Sequence, residues 1–398
     1  MRRTLSLPYS GGTTPVLRAD RDQILAFRLD SHNLSRRQPP SALPAVVAAC
    51  GLRNSPPGSA VLAAHARIDG LPPDALERAL AGQKTLVEIL GMRISPHLVP
   101  AGDLSVFTLG ALPATEESLR AVLSSLASAL KEAGMTATEA LRRAAEAAWD
   151  ALDGQMLERG ALSAAMTRKL PEVLCPWCKG CATRHVQEGL FRLVGVRGVF
   201  VIAVRSDGGR VYARADQWLG DMSTGDETAA RAELSRRYLR CFGPSTAEHF
   251  ASWVGITAAD ARRSWNRIEN SLIPVETAGR RAWLHSDDLS RLEASPTPSG
   301  VRLLPPYDSY LDQRDRETLL PDKTTHPRIW RVLGNPGVIL ADGQVVGLWR
   351  PQTKSKRLTL TVEMLVPISH QTRAEIEAEA MLLAPYRGCA STAVTFAE

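Results

Sequence analysis

The sequence predicts a mostly α protein with β wings, built from three tandem winged-helix (helix-turn-helix) units and a C-terminal β-barrel. Helical segments followed by a pair of strand-like segments occur three times along the chain, and this order is typical of a winged helix. Beyond residue 300 the chain changes to short strands separated by turn residues, which indicates a small barrel or a meander. At 398 residues the chain also exceeds one ordinary hydrophobic core, so several domains are expected.

The first winged-helix unit is expected over residues 20–113, after an N-terminal tail of residues 1–19. Apolar residues at helical spacing predict three helices, and two strand-like pieces follow them. These three helices are predicted over 22–34, 41–50 and 59–70, a further short helix is predicted around 73–81, and the strands are predicted over 84–92 and 95–109. Between the second and third helices, CGLRNSPPGS (50–59) is interpreted as a short strand and turn, because its two prolines cannot continue a helix.

The second and third units are expected over residues 114–222 and 223–295. Each again shows three helical segments and then a hairpin pattern. In the second unit, helices are predicted over 115–130, 137–152 and 154–170, and strands over 196–206 and 209–215 around Asp207-Gly208-Gly209. In the third unit, helices are predicted over 226–242, 245–255 and 257–272, and the wing over 272–285.

The third unit has the clearest signals for the helix boundaries of a helix-turn-helix. Gly255 is placed to close one helix, and Thr257 is placed to cap the next. The helix that follows would lie in the major groove and offers Arg262, Arg263 and Arg267 to phosphates or guanine edges. The alternative is an ordinary solvated basic face.

The C-terminal part divides into a predicted β-barrel over 300–367 and a helix and tail over 368–398. Strands are expected on both sides of Asp342-Gly343, and a hairpin tip, PQTKSK, is expected among basic residues. These basic residues are Arg350, Lys354, Lys356 and Arg357. Such a tip can enter a DNA groove or follow its backbone, and the alternative is a solvated turn.

Charge and composition favour a nucleic-acid partner. The formal net charge is +6, mostly an excess of arginine, which suits a polyanion and places nucleic acid ahead of a membrane surface. The first residues, MRRTLSLPYSGG, lack an apolar stretch of the length that export requires, and no run approaches a membrane span. We therefore expect a cytoplasmic monomer that contacts no membrane.

The segment CPWCKGCATRH (175–185) offers four potential metal ligands, Cys175, Cys178, Cys181 and His185. Their spacing resembles a metal or iron–sulfur motif, but structural zinc sites normally pair ligands across a longer loop. Reduced thiols are the favoured interpretation, so neither a metal nor another cofactor is expected. The sequence has no Gly-rich phosphate loop, HExxH or G-x-S-x-G pattern, which leaves kinase, protease and hydrolase functions unsupported.

Several stretches together resemble the tandem winged-helix DNA glycosylases, the AlkZ-like and YcaQ-like family. They are RRQPPSALPAVVAACGLRNSPPGSAVLAAHARIDGL, GMRISPHLVPAGD, PWCKGCATRHVQEGLFRL, LLPPYDSYLDQRDRETLLPD and DGQVVGLWR, which extend over most of the chain between about residues 20 and 366. The resemblance implies a monofunctional enzyme that excises bulky or crosslinking alkylpurine adducts from duplex DNA. Arg93, Arg314 and Arg316 lie in these stretches and join the residues assigned to DNA binding.

The family's water-positioning motif falls on Arg53, Asn54 and Ser55, which depart from it. In the family, a glutamine and a second polar residue flank an apolar one on the strand after the second helix. An arginine there would repel a cationic adduct and a developing oxocarbenium ion. Either catalysis uses another set of residues, or the protein is a non-catalytic DNA-binding protein, for example a regulator or lesion binder.

Three further polar residues in the resembling stretches are candidates for a site. They are His97 and Asp103, in HLVPAGD, and Asp308, in PPYDSYL. The alternative for each is a structural role as a cap or as a satisfied hydrogen-bonding group.

Overall fold

A computed structural model describes residues 17–205, 208–220 and 225–397 and shows helices mixed with four β-sheets in that part of the chain. The helices are α1 (Arg21–Ser31), α2 (Leu43–Ala48), α3 (Ser59–Arg67), α4 (Ala75–Glu77), α5 (Leu104–Phe107), α6 (Glu116–Val122), α7 (Ala127–Glu132), α8 (Ala137–Ala151), α9 (Arg159–Lys169), α10 (Glu188–Val196), α11 (Ala215–Leu219), α12 (Glu227–Phe242), α13 (Ala247–Val254), α14 (Ala258–Asn266), α15 (Leu289–Ala294), α16 (Arg316–Leu319), α17 (His326–Ile329) and α18 (His370–Met381). The strands are β1 (Leu17–Arg18), β2 (Leu52–Arg53), β3 (Leu86–Leu90), β4 (Pro96–Pro100), β5 (Met156–Leu157), β6 (Trp177–Cys178), β7 (Thr183–Arg184), β8 (Phe200–Val204), β9 (Arg210–Arg214), β10 (Leu272–Thr277), β11 (Arg280–His285), β12 (Val301–Leu304), β13 (Gly337–Ala341), β14 (Gln344–Lys354), β15 (Arg357–Met364) and β16 (Ser391–Phe396).

The first helix packs on an element far along the chain. α1 begins after Asp20, which forms a capping box with Gln23. Its Phe27 is fully buried and shares a small core with Val275 of β10 and Leu284 of β11. β1 also pairs with β10 in parallel. The amino end of the described chain therefore completes the third wing.

The segment after β4 differs from the prediction. A strand was expected up to residue 109, but the chain turns after Pro100 into a 3-10 turn and then into α5. Phe107 of α5 is fully buried in the main core. The short run LSVFTL suits a buried strand and a buried helix equally well, so its periodicity could not separate the two.

The second helical group is more broken than predicted. The helix expected over 115–130 is interrupted at Leu123 and forms α6, a 3-10 turn and α7. The sequence interpretation missed α10, which is capped by Gln187 and whose Leu190 is fully buried. The predicted hairpin forms as β8 and β9, but its turn residue Asp207 lies outside the described residues.

The first two wings share one sheet. Its strand order is β2-β4-β3-β8-β9-β5, and Glu88 of β3 pairs with Ile202 of β8. A wing that pairs with its neighbour buries an edge that would otherwise be open. The division into three winged-helix units at the predicted boundaries stays a prediction.

The predicted helix-turn-helix elements are present as α12, α13 and α14, followed by the hairpin of β10 and β11. Gly255 ends α13 with a φ of 89°, and Thr257 caps α14 by accepting from the backbone N–H of Asp260. The Asp260 carboxylate in turn accepts from the backbone N–H groups of Ala114 and Thr115. These bonds hold the amino end of α14 against the start of the second helical group.

The predicted C-terminal barrel is wrong: in the described residues this sheet is open. Its order is β12-β13-β14-β15-β16, and its two outer strands do not pair with each other. The sequence interpretation missed β12 and β16, and β16 runs parallel to β15. Ile376 and Ala380 of α18 belong to the sheet's core cluster, so a helix rather than barrel closure covers one face.

Among the described residues, no helix combines the length and apolar character needed to cross a bilayer.

Candidate functional site

Strand β2 lies at one edge of the shared sheet, and Arg53, Asn54 and Ser55, where the sequence resemblance places the motif, lie on it and directly after it. Arg53 pairs with His97 of β4, and the backbone N–H of Asn54 donates to the carbonyl of Pro96 at 2.9 Å. Successive side chains of a strand point to opposite faces, so the side chains of Arg53 and Asn54 lie on opposite faces of the sheet edge. Ser55 is half-buried beyond the strand's end.

Arg53 faces a carboxylate that the sequence interpretation did not single out, Asp312. One guanidinium nitrogen of Arg53 lies 4.0 Å from Asp312 Oδ2, and Arg314 Nη2 lies 3.9 Å from Oδ1. The Arg53 guanidinium also stacks over Tyr307, 4.9 Å from the ring centroid. The available sequence signal was the alternation of two aspartates with two arginines in LDQRDR (311–316).

Two more arginines, Arg93 and Arg316, lie close enough to act on these groups electrostatically. We call Arg53, Arg93, Arg314 and Arg316 the arginine cluster. Burial raises the pKa of Asp312, and the charges of Arg53, Arg314 and Arg93 oppose that rise. Burial lowers the pKa of Arg314 and of Arg316, an effect that Asp312 opposes and Arg93 reinforces.

The arginine cluster has more donors than acceptors. Nε of Arg53 and both Nε and Nη2 of Arg314 are buried without a hydrogen-bond partner in the described part of the chain. Four cations thus surround one carboxylate, and buried donors of this kind are costly unless an anion satisfies them. Guanidinium groups match phosphate oxygens in geometry and charge. The cluster is therefore suited to one or more phosphate groups.

The arginine cluster adjoins the helix-turn-helix turn. Arg93 has a left-handed backbone with a φ of 52°, and its Cα and Cγ would lie 3.2 Å from a Cβ added at Gly255. Glycine at 255 permits this close approach. Arg316 lies over the ring of Trp330, with 4.7 Å from the guanidinium carbon to the centroid. Segments far apart in sequence build this surface.

Asn54 faces a second polar cluster that the sequence interpretation missed. Its amide donates to Glu88 Oε1 at 3.0 Å, and Arg210 donates to the same oxygen at 2.5 Å. Glu88 is only 2% exposed, and burial raises its pKa while Arg210 and Asn54 lower it. Asn54 Oδ1 accepts from the backbone N–H of Gly58. Both ends of the Asn54 amide thus have partners, which indicates a structural role.

The other predicted polar residues have structural partners. Asp308 is buried and accepts from Arg67 at 2.8 and 2.7 Å, and Asp103 accepts from Arg237 in the same bidentate way. His97 is 4% exposed, its Nδ1 lies 2.9 Å from the carbonyl oxygen of Ser95, and burial lowers its pKa to about 4. His97 is therefore neutral near pH 7. Asp308 and Asp103 are held in ion pairs with Arg67 and Arg237.

The predicted DNA-binding residues outside the arginine cluster are exposed. Arg262, Arg263 and Arg267 lie on or just beyond α14, and none of them forms an ion pair within the described ranges. A second exposed basic group, made of Lys354, Lys356 and Arg357, occupies the tip of the β14–β15 hairpin. The hairpin was predicted, and its two-residue turn has positive φ values at Ser355 and Lys356.

The cysteine-rich segment forms a small hairpin of β6 and β7. Ligand atoms of Cys178, Cys181 and His185 lie within 4.8 Å of one another, whereas Cys175 is buried and is not part of this group. The pKa of the Cys178 thiol is lowered to about 7, because the backbone N–H groups of Cys181 and Gly180 and the His185 side chain hydrogen-bond to it.

A model of the family described as "DNA glycosylase AlkZ-like" matches residues 47–386. The chain belongs to the AlkZ-like DNA glycosylase family. A curated relative named "Interstrand DNA cross-link repair glycosylase", from Streptomyces sahachiroi, is 31% identical over 138 residues, which are 33% of this chain and 36% of that protein. The alignment thus spans about a third of the relative's length.

The fold also matches a solved member of the AlkZ-like family. The structure of Streptomyces sahachiroi DNA glycosylase AlkZ superposes with a TM-score of 0.75 at 21% identity, covering 96% of this chain and 100% of that chain. At this level of identity the match shows a common fold. The AlkZ-like chain described here therefore shares the fold of that structure.

Proposed function

We propose that this chain is a DNA glycosylase that hydrolyses the N-glycosidic bond of alkylpurine adducts, including crosslinking adducts, in duplex DNA. Membership of the AlkZ-like family supports the reaction class. The observation that carries the proposal is the Asp312 carboxylate, which lies beside Arg53 at the motif strand. The acceptor that Arg53 cannot offer is supplied from another segment.

Asp312 is proposed as the catalytic carboxylate. An N3- or N7-alkylated purine is already a good leaving group, so the enzyme's main task is to stabilise the oxocarbenium charge that develops on the sugar. An anionic Asp312 would do this and would accept a proton from the attacking water. The water oxygen bonds to the sugar C1′ as the bond to the purine nitrogen breaks, and the purine departs with the bonding electrons.

The arginine cluster is proposed to hold the phosphates that flank the lesion. A phosphate bound by the unpartnered donors of Arg53 and Arg314 would neutralise charge that otherwise repels a cationic adduct. Arg53 then acts as a positioning residue between Asp312 and the DNA backbone. This role resolves the conflict that an arginine creates at the motif position.

The proposed architecture on DNA keeps the three winged-helix units over 20–113, 114–222 and 223–295. The exposed arginines of α14 and the β14–β15 tip would contact backbone phosphates on either side of the arginine cluster. The chain would act as a monomer, with one lesion site at β2.

The test is single-turnover base release from duplexes that carry an N7-alkylguanine or an interstrand alkylpurine crosslink. Asp312→Asn should lower the rate about 10²–10³-fold with little change in duplex binding, because it removes one charge-stabilising group. Glu132→Gln, at an exposed carboxylate without side-chain contacts among the described residues, is the control. An Asp312→Asn rate equal to wild type would remove Asp312 from the mechanism.

The second candidate is a non-catalytic DNA-binding protein, which is favoured by the loss of both outer acceptors at Arg53 and Ser55. It predicts that wild-type protein binds the damaged duplex but releases base no faster than the spontaneous reaction. In that case Arg53→Gln combined with Ser55→Gln is the informative variant, because it places an amide acceptor at each of the two outer motif positions.

A further inference from the structure

The hairpin of β6 and β7 gathers three metal-ligating side chains outside the proposed DNA site. Ligand atoms of Cys178, Cys181 and His185 lie within 4.8 Å of one another. In tetrahedral zinc sites with Zn–S bonds of ~2.3 Å, two sulfurs lie about 3.8 Å apart, so only a small contraction would be needed. The three side chains range from half-buried to exposed, which leaves the site open to an ion.

Backbone geometry arranges these ligands before any ion is present. The Cys178 sulfur lies close to the backbone of this turn, 4.0 Å from a Cβ added at Gly180. Ala182, with a φ of 48°, reverses the chain so that β7 returns alongside β6. This reversal is what brings His185 back to Cys178.

His185 is oriented as metal-binding histidines usually are. Its Nδ1 lies 2.9 Å from the carbonyl oxygen of Val186, so the proton is on Nδ1 and donates to that carbonyl. Nε2 then carries the free lone pair. A backbone carbonyl that fixes the tautomer in this way is a common outer partner of a ligating imidazole.

We propose that Cys178, Cys181 and His185 bind one Zn²⁺ ion, with water in the fourth position. Two thiolates and an imidazole suit Zn²⁺ better than Mg²⁺ or Ca²⁺, which prefer oxygen ligands. An iron–sulfur cluster would need four protein ligands, and this group offers three. Only two cysteines are in the group, so the structure favours a mononuclear ion.

Cys175 is left out of the proposed site. It is 2% exposed, its side chain hydrogen-bonds to Thr167, and burial raises its pKa. Four ligands within eleven residues would crowd a tetrahedral ion, but three ligands on the two arms of a hairpin do not. The geometric objection raised by the sequence therefore applies to the four-ligand set and not to this one.

A second cluster of similar composition shows what separates a site from core packing. Ligand atoms of His32, Cys50 and Cys241 also approach within 4.8 Å, but all three residues are buried. The ring of His32 packs edge-on against Phe242 and Tyr310. This cluster has no route for a hydrated ion, whereas the hairpin cluster does.

A bound zinc ion would stabilise the hairpin, which is too short to be stable by itself. β6 and β7 have two residues each, and Trp177 is 59% exposed. Isolated two-stranded hairpins are marginal in water. A bound ion that joins both arms would hold residues 177–185 in one conformation.

The first experiment measures metal content and affinity on the full-length protein. Protein purified with added Zn²⁺ should contain one zinc per chain, and substitution with Co²⁺ should give the visible bands of a tetrahedral site with thiolate charge transfer. Cys178→Ser, Cys181→Ser and His185→Ala should each weaken Zn²⁺ at least ~100-fold, since loss of an outer partner alone costs about 10–100-fold. Cys175→Ser and Cys389→Ser are the matched controls and should bind normally.

Limited trypsin digestion gives a readout that does not depend on DNA or base release. Lys179 and Arg184 are exposed in the hairpin, so removal of zinc by a chelator should speed cleavage there, and added Zn²⁺ should restore protection. Unchanged zinc binding in the Cys178→Ser and Cys181→Ser variants would overturn the proposal, as would failure of wild type to bind Zn²⁺. Loss of zinc in Cys175→Ser would overturn the three-ligand assignment. An air-stable Cys178–Cys181 disulfide in protein purified with Zn²⁺ would also overturn the proposal, because the two cysteines would then be a redox pair and not metal ligands.

Discussion

At the scale of single residues, the contact with Asp312 explains how an arginine can occupy position 53. Arg53 has a carboxylate within 4.0 Å and an aromatic ring beneath it, and one of its nitrogens has no acceptor among the described residues. A long cation in this setting can bridge Asp312 and a phosphate.

Changing a neighbour of Asp312 should move the acid limb of the rate–pH profile. Asp312 must be ionised to stabilise an oxocarbenium ion, so base release should be lost as the pH falls through its raised pKa. Arg314→Gln removes a cation that lowers this pKa, and the acid limb should therefore shift to higher pH. The measurement is single-turnover release at saturating protein, with Arg331→Gln as the exposed control. A lower rate with an unmoved limb would mean that Arg314 does not act through the ionisation of Asp312.

His97 should make folding sensitive to mild acid. Its pKa is lowered from 6.5 to about 4 by burial, so the unfolded chain takes up this proton at a higher pH than the folded one. The free energy of unfolding should be independent of His97 protonation above pH 6.5. It should decrease as the pH drops towards 4, by up to about 3 kcal/mol for this one group. Urea unfolding across this range should show a smaller loss for His97→Gln than for wild type, while His370→Gln, at an exposed site, should match wild type.

At the scale of elements, α14 combines a fixed amino end with a free basic side. Asp260 anchors the helix to residues 114 and 115, so α14 keeps its orientation relative to the second helical group. Arg262, Arg263 and Arg267 project from the helix without ion pairs in the part of the chain that the structure describes. A rigid helix with unpaired arginines is suited to phosphate contacts.

Removing the three arginines near α14 should lower the salt dependence of duplex binding. Each arginine that contacts a phosphate adds about 0.9 to the slope of log affinity against log salt. Replacing Arg262, Arg263 and Arg267 with glutamine should reduce the slope accordingly. The control replaces Arg120, Arg142 and Arg143, which are equally exposed but paired with Glu116 or Glu139. Equal losses in the two triple variants would show that the α14 arginines form only a solvated basic face.

At the scale of the whole molecule, the predicted units are joined by shared sheets and cores. The first two wings form one sheet, and α1 buries Phe27 against the third wing. Separate units with exposed edges and apolar faces would be poorly soluble. The arginine cluster needs a further contact between distant segments, because Arg53 and Arg93 come from the first unit and Arg314 and Arg316 come from the segment before β13.

A fragment of residues 20–113 should therefore not fold by itself. It would lose the pairing of Glu88 with Ile202 and the partners of Phe27, which leaves a sheet edge and a helix face uncovered. Circular dichroism during urea titration should show no cooperative transition for the fragment. The full chain, measured in parallel, should show one. A cooperative fragment transition would mean that the first unit is an independent domain.

Most element types, the succession of α12, α13 and α14, and the family could be predicted from the sequence alone. These features are local: the 3.6-residue and two-residue periods, the caps at Gly255 and Thr257, and the turn residues act within a few positions of themselves. Periodicity shows which face of an element is buried but not what buries it. For that reason only the tertiary structure placed Asp312 beside Arg53, joined the first two wings, packed α1 on the third, and left the C-terminal sheet open beneath α18. Each of these depends on contacts between distant segments, which are decided by how whole faces and charges fit together.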